Sequence, residues 1–162
     1  MLGPFWRYAK CYSERMNIHF ICRGNVLRSL IAETYLRSLQ LPDVTATSSG
    51  TNVDLSNDTE RMYFANTIDL FKRHHIEQYA KNTSDQLTQE RAGNQDITVC
   101  MNQRVIDEAK VIARLPENTK SWNIIDIGEE HRIIPEDRQV YEEEIFQEII
   151  VRVNDLVEQI ED

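Results

Sequence analysis

Hydrophobic and polar positions along this chain switch repeatedly between a short β-like pattern and a three-to-four-residue helical one. Asn17 to Cys22 is a β-rich run carrying Ile18, Phe20 and Ile21 and predicts a first strand. Ile31, Ala32, Tyr35, Leu36 and Leu39 then recur on one face of a helix, which Leu41-Pro42-Asp43 stops. Val44 to Ser48 predicts a second strand, closed by Ser48-Ser49-Gly50-Thr51, whose residue types suit a turn. Asp58 is the expected cap of a helix reaching about His75, with Phe64, Ala65, Ile68 and Phe71 sharing a face. Residues 77 to 94 are polar and weakly patterned, a loop with room for one short helix. Asp96 to Met101 is the clearest buried strand. Asn102 caps the helix after it, which carries Val105, Ile106, Ala109, Ile112 and Ala113 and ends before Pro116. Trp122 to Ile125 predicts a fourth strand delivering Asp126 to its C-terminal end. A last helix over Arg138 to Ile160 presents Phe146, Ile149, Ile150, Val153, Leu156, Val157 and Ile160 at helical spacing.

Short apolar strands alternating with helices predict an α/β fold: a parallel sheet covered by helices on both faces and joined by right-handed crossovers. Ligand chemistry in such sheets gathers at the C-terminal strand ends. Cys22, Ser48, Asn102 and Asp126 all fall there, after the first, second, third and fourth strands, which points to one shared cleft. With no internal repeat, low-complexity tract or linker, the chain reads as one domain over residues 17 to 162, preceded by an extension over residues 1 to 16.

The totals narrow the function. A chain of 162 residues is long enough to bury about 70% of the surface it exposes when unfolded. Its 18 basic and 27 acidic side chains give a formal net charge of −9, which argues against a nucleic-acid partner and against anchoring to an anionic membrane. An anionic ligand would have to be attracted locally. The three cysteines include no Cys-x-x-Cys pair, so neither a disulfide framework nor a zinc site is expected, and a cytoplasmic location follows. The first 16 residues lack the apolar core of a signal peptide, and no later stretch approaches ~18 uninterrupted apolar residues. His19, His74, His75 and His131 show no ligand-like spacing, Cys100 sits in a core strand, and no metal or cofactor is expected.

Cys22-Arg23-Gly24-Asn25-Val26-Leu27-Arg28-Ser29 carries the candidate chemistry. It lies where a strand hands over to a helix. Five residues between Cys22 and Arg28 let the backbone wrap one phosphate with its N–H groups pointing inward, while the following helix aims its positive end at the same spot. Such surroundings favour thiolates, with pKa values of roughly 3.5 to 7.5 against about 8.5 for a free cysteine. Arg28 would grip two phosphate oxygens with its planar fork, as a lysine cannot, and Ser29 would donate a hydrogen bond to the sulfur.

These residues resemble the low-molecular-weight protein tyrosine phosphatase family. The family's opening strand and loop are similar to Ile21 through Ser29, its following Ala-Glu pair to Ala32-Glu33, its Ser-Ala-Gly-Thr turn to Ser48-Ser49-Gly50-Thr51, and its aspartate-led third strand ending in methionine to Asp96 through Met101. The resemblance runs from about Asn17 to the last helix. It implies a three-layer, flavodoxin-like sandwich around a four-stranded parallel sheet of order 2-1-3-4. It also implies a two-step hydrolysis in which Cys22 attacks phosphorus to form a cysteinyl-phosphate, while Arg28 and the loop from Arg23, Gly24, Asn25, Val26 and Leu27 to Ser29 hold the phosphate oxygens. Ser48 would brace the loop with Asn25, and Asp126 would protonate the leaving group, a step contributing on the order of 10² to 10⁴ in rate for a phenolate. The implied partners are a phosphotyrosyl protein or a small aryl phosphate, met by a monomer or weak homodimer.

The chain departs from the family at several points. Leu27 and Leu30 stand where the family usually has cysteine and proline, Arg23 is unusual beside the nucleophile, and Asp126 is followed by Ile127, Gly128, Glu129 and Glu130 rather than by proline and aromatic residues. The family histidine that braces the loop has no clean match, with Lys81 and Asn82 nearby in sequence. Val26, apolar and β-branched, tilts the reading toward tyrosine, because relatives acting on phosphoarginine carry threonine there. Three alternatives stand beside the leading one: a phosphate-binding regulatory domain that has lost turnover, a phosphoarginine phosphatase, and an arsenate reductase, which would need two further relay cysteines.

Overall fold

The computed structural model describes residues 15–124 and 137–161. Four strands form one sheet in the order β2-β1-β3-β4: β1 (Met16–Cys22), β2 (Val44–Gly50), β3 (Ile97–Cys100) and β4 (Lys120–Ser121). Every pairing is parallel. The helices are α1 (Arg28–Ser38), α2 (Asp58–Arg73), the single turn α3 (Gln89–Ala92), α4 (Gln103–Ile112) and α5 (Arg138–Glu161), with a 3₁₀ turn at Glu77–Tyr79. Among the described residues no helix is long and apolar enough to cross a membrane.

β1 is central and covered on both faces, so all of its residues from Ile18 to Cys22 are buried, the polar His19 included. Ile18, Phe20 and Cys22 point into one core with Leu30, Ile31 and Leu36 of α1, Leu70 and Phe71 of α2, and Tyr141, Ile145, Phe146, Ile149 and Val153 of α5. Ile21, on the opposite face, joins Cys100 and the Val105, Ile106 and Ala109 stripe of α4 in a second core. These two cores make the sandwich three layers deep, as the alternating pattern implies.

Four local expectations are corrected. β2 runs through Gly50, not Ser48: Ser48, Ser49 and Gly50 pair in register with Phe20, Ile21 and Cys22, so lateral pairing to the central strand overrides their turn preference. α2 is capped by Asn57, whose side chain accepts from the backbone N–H groups of Thr59 (2.9 Å) and Glu60 (3.2 Å), and Asp58 is the first helical residue. Ala65 is exposed, whereas Phe64, Ile68 and Phe71 of the expected face do pack on the core, joined there by the fully buried Thr67 and Leu70. The hydroxyl of Thr67 is spent internally, lying 2.5 Å from the carbonyl of Val26 and 2.9 Å from that of Tyr63. Finally, β4 is only Lys120–Ser121. Trp122 and Ile124 still donate to the carbonyls of Cys100 (3.1 Å) and Met101 (2.7 Å), so the chain follows the edge of β3 past the formal strand. Asp126 lies outside the described residues, as does the extension through residue 14.

Candidate active site

The loop from Cys22 to Ser29 joins the C-terminal end of β1 to the first turn of α1. Asn25 takes a left-handed conformation, φ 54°, which turns its backbone N–H toward Cys22 Sγ at 3.2 Å. Ser29 Oγ lies 2.9 Å from the same sulfur. The direction of that second bond follows from the neighbours. Asp85 N donates to Asn25 Oδ1 (2.9 Å), which fixes the orientation of the amide, so Asn25 Nδ2 is the donor to Ser29 Oγ (2.7 Å) and Ser48 Oγ (2.9 Å). Ser29, already accepting from Asn25, has its own proton left for the sulfur. The Ser48 hydroxyl donates a hydrogen bond to Glu33 Oε2 at 2.8 Å.

Behind the loop sits a charged cluster. Lys81 Nζ donates to Ser48 O (2.8 Å) and Asp85 Oδ2 (3.0 Å) and lies 3.9 Å from Glu33 Oε2. Burial raises the pKa of Glu33, against the opposing pull of Lys81, the Ser48 hydrogen bond and Arg37. Burial pushes Asp85 up as well, but the hydrogen bond and charge of Lys81 and the bond from Thr83 outweigh it, leaving the carboxyl below its ordinary value. The Ser84 hydroxyl also donates to Asn25 O (3.0 Å). Lys81, Ser84 and Asp85 come from the segment read as a loop with room for one short helix. Their role is invisible to periodicity, because the bridge between Gly50 and Gln86 is what carries the segment to the end of β2.

The loop backbone is clamped from the β2 side. Thr51 N donates to Cys22 O (3.0 Å) and Asn52 N to Arg23 O (2.8 Å). A Cβ at Gly50 would stand 2.5 Å from Arg23 O and 2.9 Å from Asn25 N, so only glycine allows this approach. Arg28 opens α1 with 1% exposure, and its Nη1 donates to Ile124 O at 2.8 Å, linking the loop to the segment that precedes Asp126. Leu27 and Leu30, two of the departures from the family pattern, are both buried in the larger core. Leu27 occupies the cap position of α1 and supplies no side-chain cap.

Arg23 is half exposed and its Nε lies 3.7 Å from Glu108 Oε1. Glu108 also accepts from Thr51 Oγ1 (2.6 Å) and Arg104 Nε (3.2 Å). Arg23, Gly24, Val26 and Leu27 line a cleft of about 230 Å³ together with Asn52, Glu60, Tyr63 and Arg138. Among the other candidates, Asn102 caps α4 by accepting from Val105 N at 3.0 Å. Cys100 is buried, and that burial, with Cys22 nearby, pushes its thiol up to about 12. His74 stacks on Phe146 with ring centroids 4.0 Å apart.

Fold and loop together define a class: an α/β protein with an anion-cradle layout around a cysteine at the carboxyl end of its central strand. The chain belongs to the low molecular weight phosphotyrosine protein phosphatase family, whose sequence model matches residues 17–161. No curated protein sequence matches it. Similar solved structures include Vibrio vulnificus Wzb in complex with benzylphosphonate, at 21% identity and TM-score 0.67 over 89% of this chain and 98% of that one. Another is a YwlE arginine phosphatase with a phosphorylated active-site serine, at 18% identity and TM-score 0.70 over 91% and 97%. A thioredoxin-dependent arsenate reductase of Corynebacterium glutamicum matches at 18% identity and TM-score 0.63 over 95% and 66%. At these identities the likeness establishes the shared fold.

Proposed function

We propose that this chain is a cytoplasmic phosphatase hydrolysing phosphotyrosine on proteins or small aryl phosphates through a cysteinyl-phosphate on Cys22. The observation that carries the reading is the sulfur's surroundings: Cys22 Sγ receives the Asn25 N–H and the Ser29 hydroxyl, two donors that stabilise a thiolate as nucleophile and as leaving group. In the first step sulfur forms a bond to phosphorus as the phosphorus–phenolate oxygen bond breaks. Asp126 gives its proton to the departing oxygen. Water then attacks phosphorus and gives a proton to the Asp126 carboxylate as the sulfur–phosphorus bond breaks, releasing phosphate and the Cys22 thiolate. Arg28 and the loop amides from Arg23 to Ser29 hold the equatorial oxygens, and the side-chain cap that Leu27 does not provide is supplied by the phosphate itself. Asn25 and Ser48 keep the loop in shape for both steps.

The test is hydrolysis of p-nitrophenyl phosphate and of phosphotyrosine between roughly pH 5 and 7. Turnover that disappears in Cys22→Ser supports the mechanism. Phosphate binding without turnover would identify a binding domain instead, and faster hydrolysis of phosphoarginine than of phosphotyrosine would overturn the substrate. Asp126→Asn should slow esters of weakly acidic phenols by about 10² or more while sparing activated esters. Equal losses on both would remove Asp126 as the acid.

A further inference from the structure

Arg23 follows Cys22 directly in the loop, and its side chain is held only loosely. Its Nε lies 3.7 Å from Glu108 Oε1, an ion pair beyond hydrogen-bonding distance. Glu108 is engaged more closely elsewhere, accepting from Thr51 Oγ1 at 2.6 Å and from Arg104 Nε at 3.2 Å. One carboxylate therefore serves two guanidiniums, and Arg23 has the weaker share of it. The Arg23 side chain also keeps 45% of its surface in water. Across the cleft of about 230 Å³ that Arg23 helps to line stands Arg138, and that side chain is fixed. Its guanidinium lies 4.1 Å from the Tyr63 ring centre and 5.0 Å from that of Tyr141, while its Nε donates to Glu142 at 3.0 Å. Glu142 is shared as well, with Arg73 Nη2 at 3.8 Å. Among the described residues that line the cleft, two arginines stand against one carboxylate, Glu60. The cleft is thus locally positive on a chain whose net charge is −9.

We propose that Arg23 is a specificity-determining residue, which pairs with a carboxylate beside the phosphorylated residue and so selects phosphotyrosyl peptides with an acidic flank. Neither arginine has to lack a partner for this. Arg23 exchanges a long contact with Glu108 for a substrate carboxylate that its planar fork can meet with two hydrogen bonds, and Glu108 keeps its bonds to Arg104 and Thr51. Arg138, stacked on Tyr63, stays with Glu142 and contributes fixed positive charge along the same wall. This preference belongs to the site of the proposed phosphatase activity and rests on that reading. The overall charge of the chain repels an acidic peptide, so a preference for one has to arise from cations close to the bound phosphate.

The experiment uses the full chain carrying Cys22→Ser, which binds without turnover, and two phosphotyrosyl peptides that differ only in having glutamate or glutamine on both sides of the phosphotyrosine. The glutamate peptide should bind about fivefold more tightly at low salt, with the ratio shrinking as salt is raised to about 0.15 M. Adding Arg23→Gln, which keeps the backbone N–H of the loop, should bring the ratio close to one. Adding Glu108→Gln instead removes the competing carboxylate and should raise the ratio by about a further twofold. Because both peptides are read on the same protein, partial unfolding of a variant leaves its ratio unchanged. Equal affinities, tighter binding of the glutamine peptide, a ratio that survives Arg23→Gln, or one that stays level or falls with Glu108→Gln would each overturn the proposal, as would failure of either peptide to bind. Turnover of p-nitrophenyl phosphate by the unsubstituted chain is measured in parallel. Its absence alongside a glutamate preference sinks the phosphatase reading alone, and its presence without that preference sinks the role of Arg23 alone.

Discussion

Asn25 holds three parts of the molecule together from a backbone conformation that few residues adopt readily. Its φ of 54° costs an ordinary L-residue roughly 1–2 kcal/mol. Its side chain simultaneously meets Ser29, Ser48 and the Asp85 backbone. Asn25→Ala should therefore lose about 2–4 kcal/mol, from strain plus buried polar groups left without partners. Asn25→Gly removes the strain but not the polar loss, and should recover about 1 kcal/mol of the difference. Urea unfolding of the three proteins at a common slope measures this, and an alanine variant within about 0.5 kcal/mol of the parent would refute it. Cys22, Asn25, Arg28 and Ser29 were legible in the sequence because they are local, a cysteine and an arginine at fixed spacing after a strand. Glu33, Lys81 and Asp85 were not legible as a unit. Nothing local marks a buried carboxylate that meets a lysine 48 positions away, and only the folded sheet brings them to one place.

At the scale of elements, the strands were readable in kind but not in extent. A serine-rich end reads as turn until a central strand pairs with it, and β4 stops at Ser121 because Asn123 leaves the extended conformation (φ 55°) and the N–H groups of Trp122 and Ile124 reach the consecutive carbonyls of Cys100 and Met101, which breaks the parallel register. The same β1–β2 seam contains a titrating group. His19, 1% exposed, bridges the strands through Nδ1 to Thr47 Oγ1 (2.6 Å) and Nε2 to Ser49 Oγ (2.8 Å). Burial, with help from Lys81 and Arg91, lowers its pKa from 6.5 to about 4. The unfolded chain then takes up a proton at a pH where the folded chain does not, so the stability is fully present above about 6.5 and is lost as pH falls toward 4. The total is about 3 kcal/mol. Glu33, whose pKa is raised, works in the opposite sense, gaining stability as it protonates. The difference between the parent and His19→Gln isolates the histidine: the parent should lose stability more steeply between pH 6.5 and 4 in denaturant titrations. Parallel pH profiles would remove His19 as the cause.

At the scale of the molecule, alternation of strand-like and helical patterns was enough to indicate a parallel sheet with helices on both faces, and the quoted motifs supplied its order. Periodicity could not supply that order alone. The strand sequence 2-1-3-4 depends on which edge each crossover takes, and no residue pattern along a single strand records its neighbour. The central position of β1 has a kinetic consequence. Its bonds to β2 span 28 residues, as between His19 and Thr47, whereas its contacts at the entrance to β3 span 79, as between Asn17 and Asp96. Closing the longer loop costs more chain entropy before any contact rewards it. β1, α1 and β2 should accordingly organise in the transition state, with β3 and α4 docking afterwards. Leu36→Ala in α1 should slow refolding, with a φ-value above about 0.5, while Val105→Ala in α4 should mainly hasten unfolding, with a value below about 0.3. The reverse order would place the folding nucleus on the other side of the sheet. With the expected order, the loop around Cys22 takes shape with the first half of the chain, before the rest of the sheet has closed.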